Sequence, residues 1–149
     1  MNSTIGPFQG EWRFLSNFFE SPIMVRSLGT TGVFTAPTAE HVFQAMKTRD
    51  LIEQQSVLEC KTPGQAKHMG RNVTLRSDWE EIKLHVMRMV VQAKFEQNPE
   101  LDKLLKATGD ATLIELNQFN DREWGVDINT REGKNHLGKI LMEVRANLK

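Results

Sequence analysis

The sequence predicts an α+β fold, one mostly helical domain over residues 1–149 with a few short strands. Three observations predict it. From Pro37 onward, segments open on a capping residue or a proline and then carry apolar residues at steps of three and four. The first thirty-five residues instead alternate short apolar runs with Gly, Pro and Ser. A chain of 149 residues with 39% hydrophobic and 26% charged side chains has the size and composition of one soluble domain.

Taken in order, Phe8 to Arg13 and Phe14 to Phe19 predict short strands and turns, broken at Ser21-Pro22. Ile23-Met24-Val25 and Val33-Phe34-Thr35 flank Gly29-Thr30-Thr31-Gly32, which is a hairpin pattern. Pro37-Thr38 then opens a helix that runs to Lys47 with no glycine or proline inside it and with Thr38 as its N-cap. At about 100° per residue, Glu40 and Lys47 share one face with Phe43 and Gln44 between them. Val42, Ala45 and Met46 turn to the core. Roughly 10 Å along the axis separates Glu40 from Lys47, too far for an ion pair. Such a face is either a solvated charge pair or an acid and an amine bracketing a space the size of a sugar ring. Spacing alone leaves both open.

Asp50 caps a segment from Leu51 to Cys60. Thr62-Pro63-Gly64-Gln65 is a stronger start, with a cap, a proline at the first helical position and a glutamine three residues on. That helix ends near Gly70 and offers Lys67 and Arg71 on its polar side. Ser77-Asp78-Trp79-Glu80 is a second capping box and opens the longest helix, to about Glu96. Trp79, Ile82, Val86, Met89, Val90 and Ala93 give it a buried stripe. Asn98-Pro99 starts a helix carrying Leu101, Leu104 and Leu105, stopped by Gly109. Leu113 to Leu116 is short and apolar enough for a strand. Residues 117–134 form a polar loop without period, and loops of that length are functional or disordered; Trp124 within it argues against disorder. Asn135 caps a last helix whose apolar face is Leu137, Ile140, Leu141, Val144 and Leu148.

Nineteen basic and nineteen acidic side chains give zero formal charge. That argues against nonspecific duplex binding, which needs an excess of cations over phosphates. Cys60 is the single cysteine, so no intrachain disulfide forms and a reducing cytoplasm is the expected compartment. No apolar run reaches a membrane span, and no secretory signal opens the chain. No phosphate-cradling glycine loop, paired-cysteine site or His-Glu-x-x-His pattern occurs, so no metal site is expected.

What helix periodicity leaves over is a polar and aromatic set: Ser16-Asn17, Glu40, Gln44, Lys47, Lys67, Arg71, Asp121, Trp124-Gly125 and Gly133-Lys134-Asn135. Helix starts and basic side chains suit phosphate, and Trp and Phe suit stacking on a base. Each also has a plainer role, as core filling for the aromatics, a solvated helix face for Lys67 and Arg71, and a helix cap for Asn135.

At these residues the chain resembles the NADAR domain, or YbiA-like, family. The resemblance runs through Phe14-Leu15-Ser16-Asn17-Phe18, Glu40-His41-Val42-Phe43-Gln44-Ala45-Met46-Lys47 and Ala66-Lys67-His68-Met69-Gly70-Arg71. It continues through Asp78 to Lys83, Lys94-Phe95, Ala107-Thr108-Gly109, Asp121-Arg122-Glu123-Trp124-Gly125 and Gly133 to Gly138. Their order and spacing carry the match. It implies a mostly helical domain with minor strands and hydrolysis of a base–ribose N-glycosidic bond without a metal or redox cofactor. The implied substrates are ADP-ribosylated guanine in nucleic acid or nucleotide, or a ribosylamino-pyrimidine intermediate of riboflavin synthesis. A non-catalytic module binding ADP-ribose or NAD is the remaining alternative.

By position, the resemblance implies Glu40 and Lys47 as catalytic residues. It implies Asn17, Phe43, Gln44, Lys67, Arg71, Asp121, Trp124, Gly125, Lys134 and Asn135 as substrate contacts. Three departures stand out. Ala39 replaces a serine common before Glu-His, Phe119 stands where related sequences often carry Trp, and Val126-Asp127 follows Trp124-Gly125 where one branch has Asp-Gly. The last departure leans away from the riboflavin branch.

Overall fold

Residues 3–149 are described by a computed structural model. Along the chain they form β1 (Thr4–Ile5), a 3-10 helix (Gly10–Leu15), β2 (Glu20–Arg26) and β3 (Val33–Thr38). Then come α1 (Ala39–Ala45), α2 (Leu51–Leu58), α3 (Pro63–Gly70), α4 (Trp79–Glu96) and α5 (Pro99–Ala107). β4 (Thr112–Leu113), β5 (Leu116–Asn117), β6 (Val126–Asp127) and α6 (His136–Asn147) complete it. The fold is α+β and mostly helical, with small two-stranded sheets, as expected. Backbone packing divides it into two bodies: Asn17–Gln97, and the chain up to Ser16 joined to Asn98–Lys149. Among the described residues no helix is long and apolar enough to cross a membrane.

In the body Asn17–Gln97, β2 and β3 form the predicted antiparallel hairpin. Ile23 pairs with Ala36 and Val25 with Phe34, so these residues alternate inward with Ser21 and Thr38. Ser21-Pro22 does not break β2. It sits at a register shift between Glu20 and Ile23, where a strand tolerates a proline. β3 passes straight into α1, because Thr38 both ends the strand and caps the helix. Its hydroxyl accepts from the His41 N–H at 3.2 Å and lies 2.7 Å from His41 Nδ1. His41 Nε2 is 2.8 Å from the Cys60 carbonyl, which accepts only if Nε2 carries the proton. With Thr38 on Nδ1 and Cys60 on Nε2, His41 bridges α1 to the end of α2.

α1 differs from the amphipathic helix expected. It stops at Ala45, and every residue in it is buried. The Lys47 N–H donates to the Gln44 carbonyl at 3.2 Å, a tightened 3-10 turn. Lys47 therefore lies beyond the helix that carries Glu40. α2 and α3 start as predicted, with the Asp50 and Thr62 side chains accepting from Glu53 N and Gln65 N. α4 also starts on time, but its capping box does not form. The Asp78 side chain caps nothing; it takes Arg76 Nε at 2.6 Å and Arg49 at 3.4 Å. The Arg76 guanidinium holds the Asp78 carboxyl below the usual carboxylate range. Arg76 also donates to the Leu28 carbonyl at 2.8 Å, and its N–H donates to the Lys47 carbonyl at 2.8 Å. One arginine thus ties the hairpin, the end of α1 and the start of α4 together.

In the other body the first segment is a 3-10 helix rather than strands. Trp12 N–H to Gln9 and Ser16 N–H to Arg13 are i to i−3 bonds, and Phe14 and Leu15 face inward. β1 pairs in parallel with β4, and β5 with β6, so the single strand expected at 113–116 is two. α5 buries Leu101 and Leu105 but leaves Leu104 exposed; α6 buries Leu137, Ile140, Leu141 and Val144. The 117–134 loop is ordered by its own side chains. Asp127 Oδ1 accepts from Asn129 and Thr130 N–H, and Asn117 Oδ1 from Phe119 and Asp121 N–H. Asn and Asp replace the missing ladder by bonding the backbone two to four residues on.

The predicted stripe of α4 is displaced. Trp79, Val86 and Val90 are buried as expected, while Met87, Val91, Lys94 and Phe95 replace Ile82, Met89 and Ala93. Lys94 is 0% exposed, with Nζ 5.9 Å from the Phe19 ring centroid and 5.2 Å from that of Phe95. Burial lowers its pKa from the ordinary 10.5 to about 7. Between these values the unfolded chain binds a proton that the folded chain lacks, so stability rises with pH across that window. Below about pH 7 both states hold the proton and the cost of burying the charge is full. Lys94→Met removes this contribution. Urea unfolding from pH 7 to 10 is expected to show a smaller rise in midpoint for the variant than for the wild type; parallel curves would contradict it.

Candidate active site

The predicted site residues fall into two groups, one in each body. Asn17, Glu40, Phe43, Gln44, Lys47, Lys67 and Arg71 belong to the body Asn17–Gln97. Asp121, Trp124, Gly125, Lys134 and Asn135 belong to the other.

The first group is organised on Glu40. Its position in the first turn of α1 follows from the Thr38 cap, and the all-round burial of α1 leaves Glu40 7% exposed. A buried carboxyl needs hydrogen bonds. Gln44 Nε2, one turn along, donates to Glu40 Oε1 at 2.7 Å. The Glu40 N–H donates to the Asn17 carbonyl at 3.1 Å, which fixes the chain segment 17–19 against the start of α1. Asn17 is itself 6% exposed and donates from Nδ2 to Met87 Sδ on α4 at 3.2 Å. Phe18, next in sequence, lies under Lys67 Nζ of α3, 5.8 Å from the ring centroid. Phe19, one residue on, faces Lys94. Three consecutive residues thus meet Glu40, Lys67 and Lys94 in turn.

Two acceptors in this cluster have no hydrogen-bond partner, Asn17 Oδ1 and Gln44 Oε1. Gln44 Oε1 lies against the backbone of Gly70, where an added Cβ would sit 2.0 Å from it. Only glycine lets α3 approach the amide that grips Glu40. Phe43, expected beside a base or ribose, is 3% exposed and packs on Trp79 with ring centroids 5.2 Å apart. Lys47 is half-buried just beyond α1, and Arg71 is exposed at the C-cap of α3. Two surface clefts of this body, of about 430 and 500 Å³, are lined by other residues.

Lys94 is the residue that sequence reasoning missed. Its signal was present: Met87, Val91 and Lys94 follow one another at steps of four and three, so a lysine occupies a core position. The expected stripe passed it over because the apolar residues on either side formed a plausible period without it.

In the second group, Asp121 sets the backbone ahead of Trp124. Its Oδ1 accepts from Glu123 N–H at 3.1 Å and Trp124 N–H at 3.0 Å. The Trp124 ring is half-buried, 6.0 Å from His136 edge-on. Gly125 is buried where a Cβ would meet Glu115 Oε2 at 2.0 Å and the Glu115 carbonyl at 2.2 Å. Lys134 is exposed. Asn135 does not cap α6. It adopts φ 54, and its side chain donates to the Leu113 carbonyl at 2.9 Å and accepts from Glu115 N–H at 3.0 Å. The N–H groups of residues 134–137 donate to the carbonyls of residues 122–125. The start of α6, expected as a phosphate site, has therefore spent those donors on the loop. Among the described residues no group of three or more His, Cys, Asp or Glu side chains could hold a metal ion.

The chain is similar to known proteins. The model of the NADAR domain matches residues 7–149. N-glycosidase YbiA of Shigella flexneri serotype 5b (strain 8401) is 44% identical over 135 residues, covering 89% of this chain and 79% of that protein. Riboflavin biosynthesis protein VVA0006 of Vibrio vulnificus (strain YJ016) is 40% identical over 137 residues, covering 91% of this chain but 35% of that protein. The NMR structure of the E. coli protein YbiA matches with a TM-score of 0.82 at 40% identity, covering 99% of this chain and 86% of that one. With its fold, its order of motifs and nearly its whole length matched, the chain belongs to the NADAR domain family.

Proposed function

We propose that this N-glycosidase removes ADP-ribose from guanine, in nucleic acid or in a guanine nucleotide. The observation that carries the reading is the buried Glu40 carboxyl, held at one oxygen by Gln44 and set in place through the Asn17 carbonyl. Cleaving a base–ribose bond makes the anomeric carbon cationic while the base leaves as a poor leaving group. A buried carboxyl can deliver a proton and, once ionised, face the ribosyl cation in a low dielectric. Asn17 Oδ1 suits a ribose hydroxyl, which supplies the donor that this buried acceptor lacks.

Lys47 is the candidate to trap the sugar carbon as a Schiff base or to hold negative charge beside it. In the body Asn17–Gln97, Lys67 and Arg71 are candidates for pyrophosphate; taken by itself, the other body offers Lys134 for pyrophosphate and Trp124 for a base or ribose. The match to VVA0006 favours a second reading, an N-glycosidase acting on a ribosylamino-pyrimidine phosphate.

Wild-type protein is expected to release ADP-ribose from an oligonucleotide carrying ADP-ribosylated guanine, followed by mass spectrometry. Glu40→Gln is expected to lower kcat at least about a hundredfold, in the range of a lost general acid. No release from an intact, accessible substrate, with turnover of the ribosylamino-pyrimidine instead, would replace the first reading by the second; tight ADP-ribose binding without turnover of either would make the chain a binding module.

Gly70→Ala pushes on the Gln44 amide. Activity should fall about tenfold or more while the folded state persists by circular dichroism; unchanged kcat would show that the Gln44–Glu40 contact does not matter to the reaction. Borohydride added during turnover is expected to fix a sugar adduct on Lys47, read by peptide mapping. An adduct on another lysine removes the covalent role from Lys47.

A further inference from the structure

Two sulfur atoms meet at the wall of a cleft in the body Asn17–Gln97. Cys60 follows the last turn of α2, and Met69 stands in the last turn of α3. Cys60 Sγ and Met69 Sδ are 3.9 Å apart. Met69 is 37% exposed and Cys60 is half-buried, so the pair is not a piece of the core. Both line a cleft of about 500 Å³ that His68 lines as well. His68 is exposed. The other imidazole near Cys60, that of His41, is fully buried and lies 2.8 Å from the Cys60 carbonyl. One thiol, one thioether and one accessible imidazole thus share a single cleft.

That donor set selects the ion it would hold. A structural zinc site takes four ligands from Cys, His and carboxylates. Among the described residues no group of three or more His, Cys, Asp or Glu side chains could supply one. Thiolate and thioether are soft donors and favour Cu(I). Metal–sulfur bonds are about 2.3 Å long, so an ion bonded to both sulfurs at their present spacing would subtend about 115° between them. That angle is close to trigonal and leaves room for a third ligand. Charge points the same way. Burial pushes the Cys60 thiol pKa up, because water is scarce around a thiolate there. A monovalent cation cancels the charge of one thiolate. A divalent ion would leave a charge over, and no carboxylate among the described residues lines the cleft to balance it.

We propose that Cys60, Met69 and His68 form a binding site for a cuprous ion. The Cys60 thiol gives its proton to solvent and an Sγ–Cu bond replaces the S–H bond. Met69 Sδ and a ring nitrogen of His68 donate lone pairs, and the copper stays cuprous throughout. The long contact of Sγ with the Ser56 carbonyl, at 3.4 Å, is given up. The ion joins the end of α2 to α3, and both sides of that link bear on α1. The Cys60 carbonyl meets His41, and Gly70, next to Met69, closes on Gln44. The unfolded chain does not hold the three donors together, so occupancy stabilises the folded state.

The test supplies cuprous ion without oxygen to wild type, Met69→Leu, His68→Ala and Cys60→Ser, with bathocuproine disulfonate as a coloured competitor. Wild type should bind one ion per chain and melt at a higher temperature with it. Met69→Leu and His68→Ala should each bind about tenfold more weakly or worse, and Cys60→Ser about a hundredfold. X-ray absorption of the loaded wild type should show two sulfur neighbours at about 2.3 Å and one nitrogen. Unchanged affinity in Met69→Leu or His68→Ala would overturn the proposal, because the binding would then belong to a thiol alone. Zinc bound as tightly as the cuprous ion would overturn it as well. Circular dichroism of the metal-free variants separates lost binding from lost folding. Should Cys60→Ser fail to fold, the two variants of exposed residues decide the question.

Discussion

Everything in the body Asn17–Gln97 depends on placing the Glu40 carboxyl out of water. The cost of doing so is several kcal/mol unless the group is hydrogen-bonded. The fold meets it with the Gln44 amide one turn along α1, and with a helix start that Thr38 fixes from the strand side and Asn17 from the chain side. Because β3 runs into α1 without a loop, the orientation of the first helical turn is inherited from the hairpin register. That register in turn rests on the inward alternation of Ile23, Val25, Phe34 and Ala36. A slip of one residue in β3 would turn Thr38 outward and lose the cap. The Glu40 geometry is thus determined by sheet packing more than by α1 itself, which at seven residues is too short to be stable alone.

The second consequence of that placement is α3. Gly70 closes on Gln44, and Lys67, one turn earlier, then falls over Phe18. The segment 17–19 works as a three-residue hinge pin, with its carbonyl on Glu40, one ring under Lys67 and the other beside Lys94. Cations against aromatic faces keep part of the charge stabilisation that water supplied, at about 0.5–2 kcal/mol each. This is how two lysines come to lie in or near an interior that also holds a carboxyl, while formal charge over the whole chain is zero.

The sequence made most helix starts legible because caps are local. Asp50, Thr62-Pro63 and Asn98-Pro99 open helices where local chemistry says they should. It failed where a side chain had a stronger distant partner. Asp78 has the form of a cap, but Arg76 offers a charge-assisted bond that outweighs a helix N–H. Asn135 likewise leaves its helix for Leu113 and Glu115. The end of α1 was invisible for a related reason, since nothing between Pro37 and Lys47 breaks a helix and the stop is imposed by Arg76 bonding the Lys47 carbonyl. The position of Glu40 on a helix was readable from spacing. Its burial was not, because α1 has no solvent face and an amphipathic reading assigns one.

Lys94 and Glu40 share a further property. Both break the rule that charged groups stay at the surface, and both do so on elements whose other buried residues obey it. A fold selected only for stability would replace each with an apolar group of similar volume at little cost or with a gain. Sequences tend to depart from local consistency where function requires it. Residues 17–19 touch both departures, with the Asn17 carbonyl on the Glu40 N–H and the Phe19 ring beside Lys94.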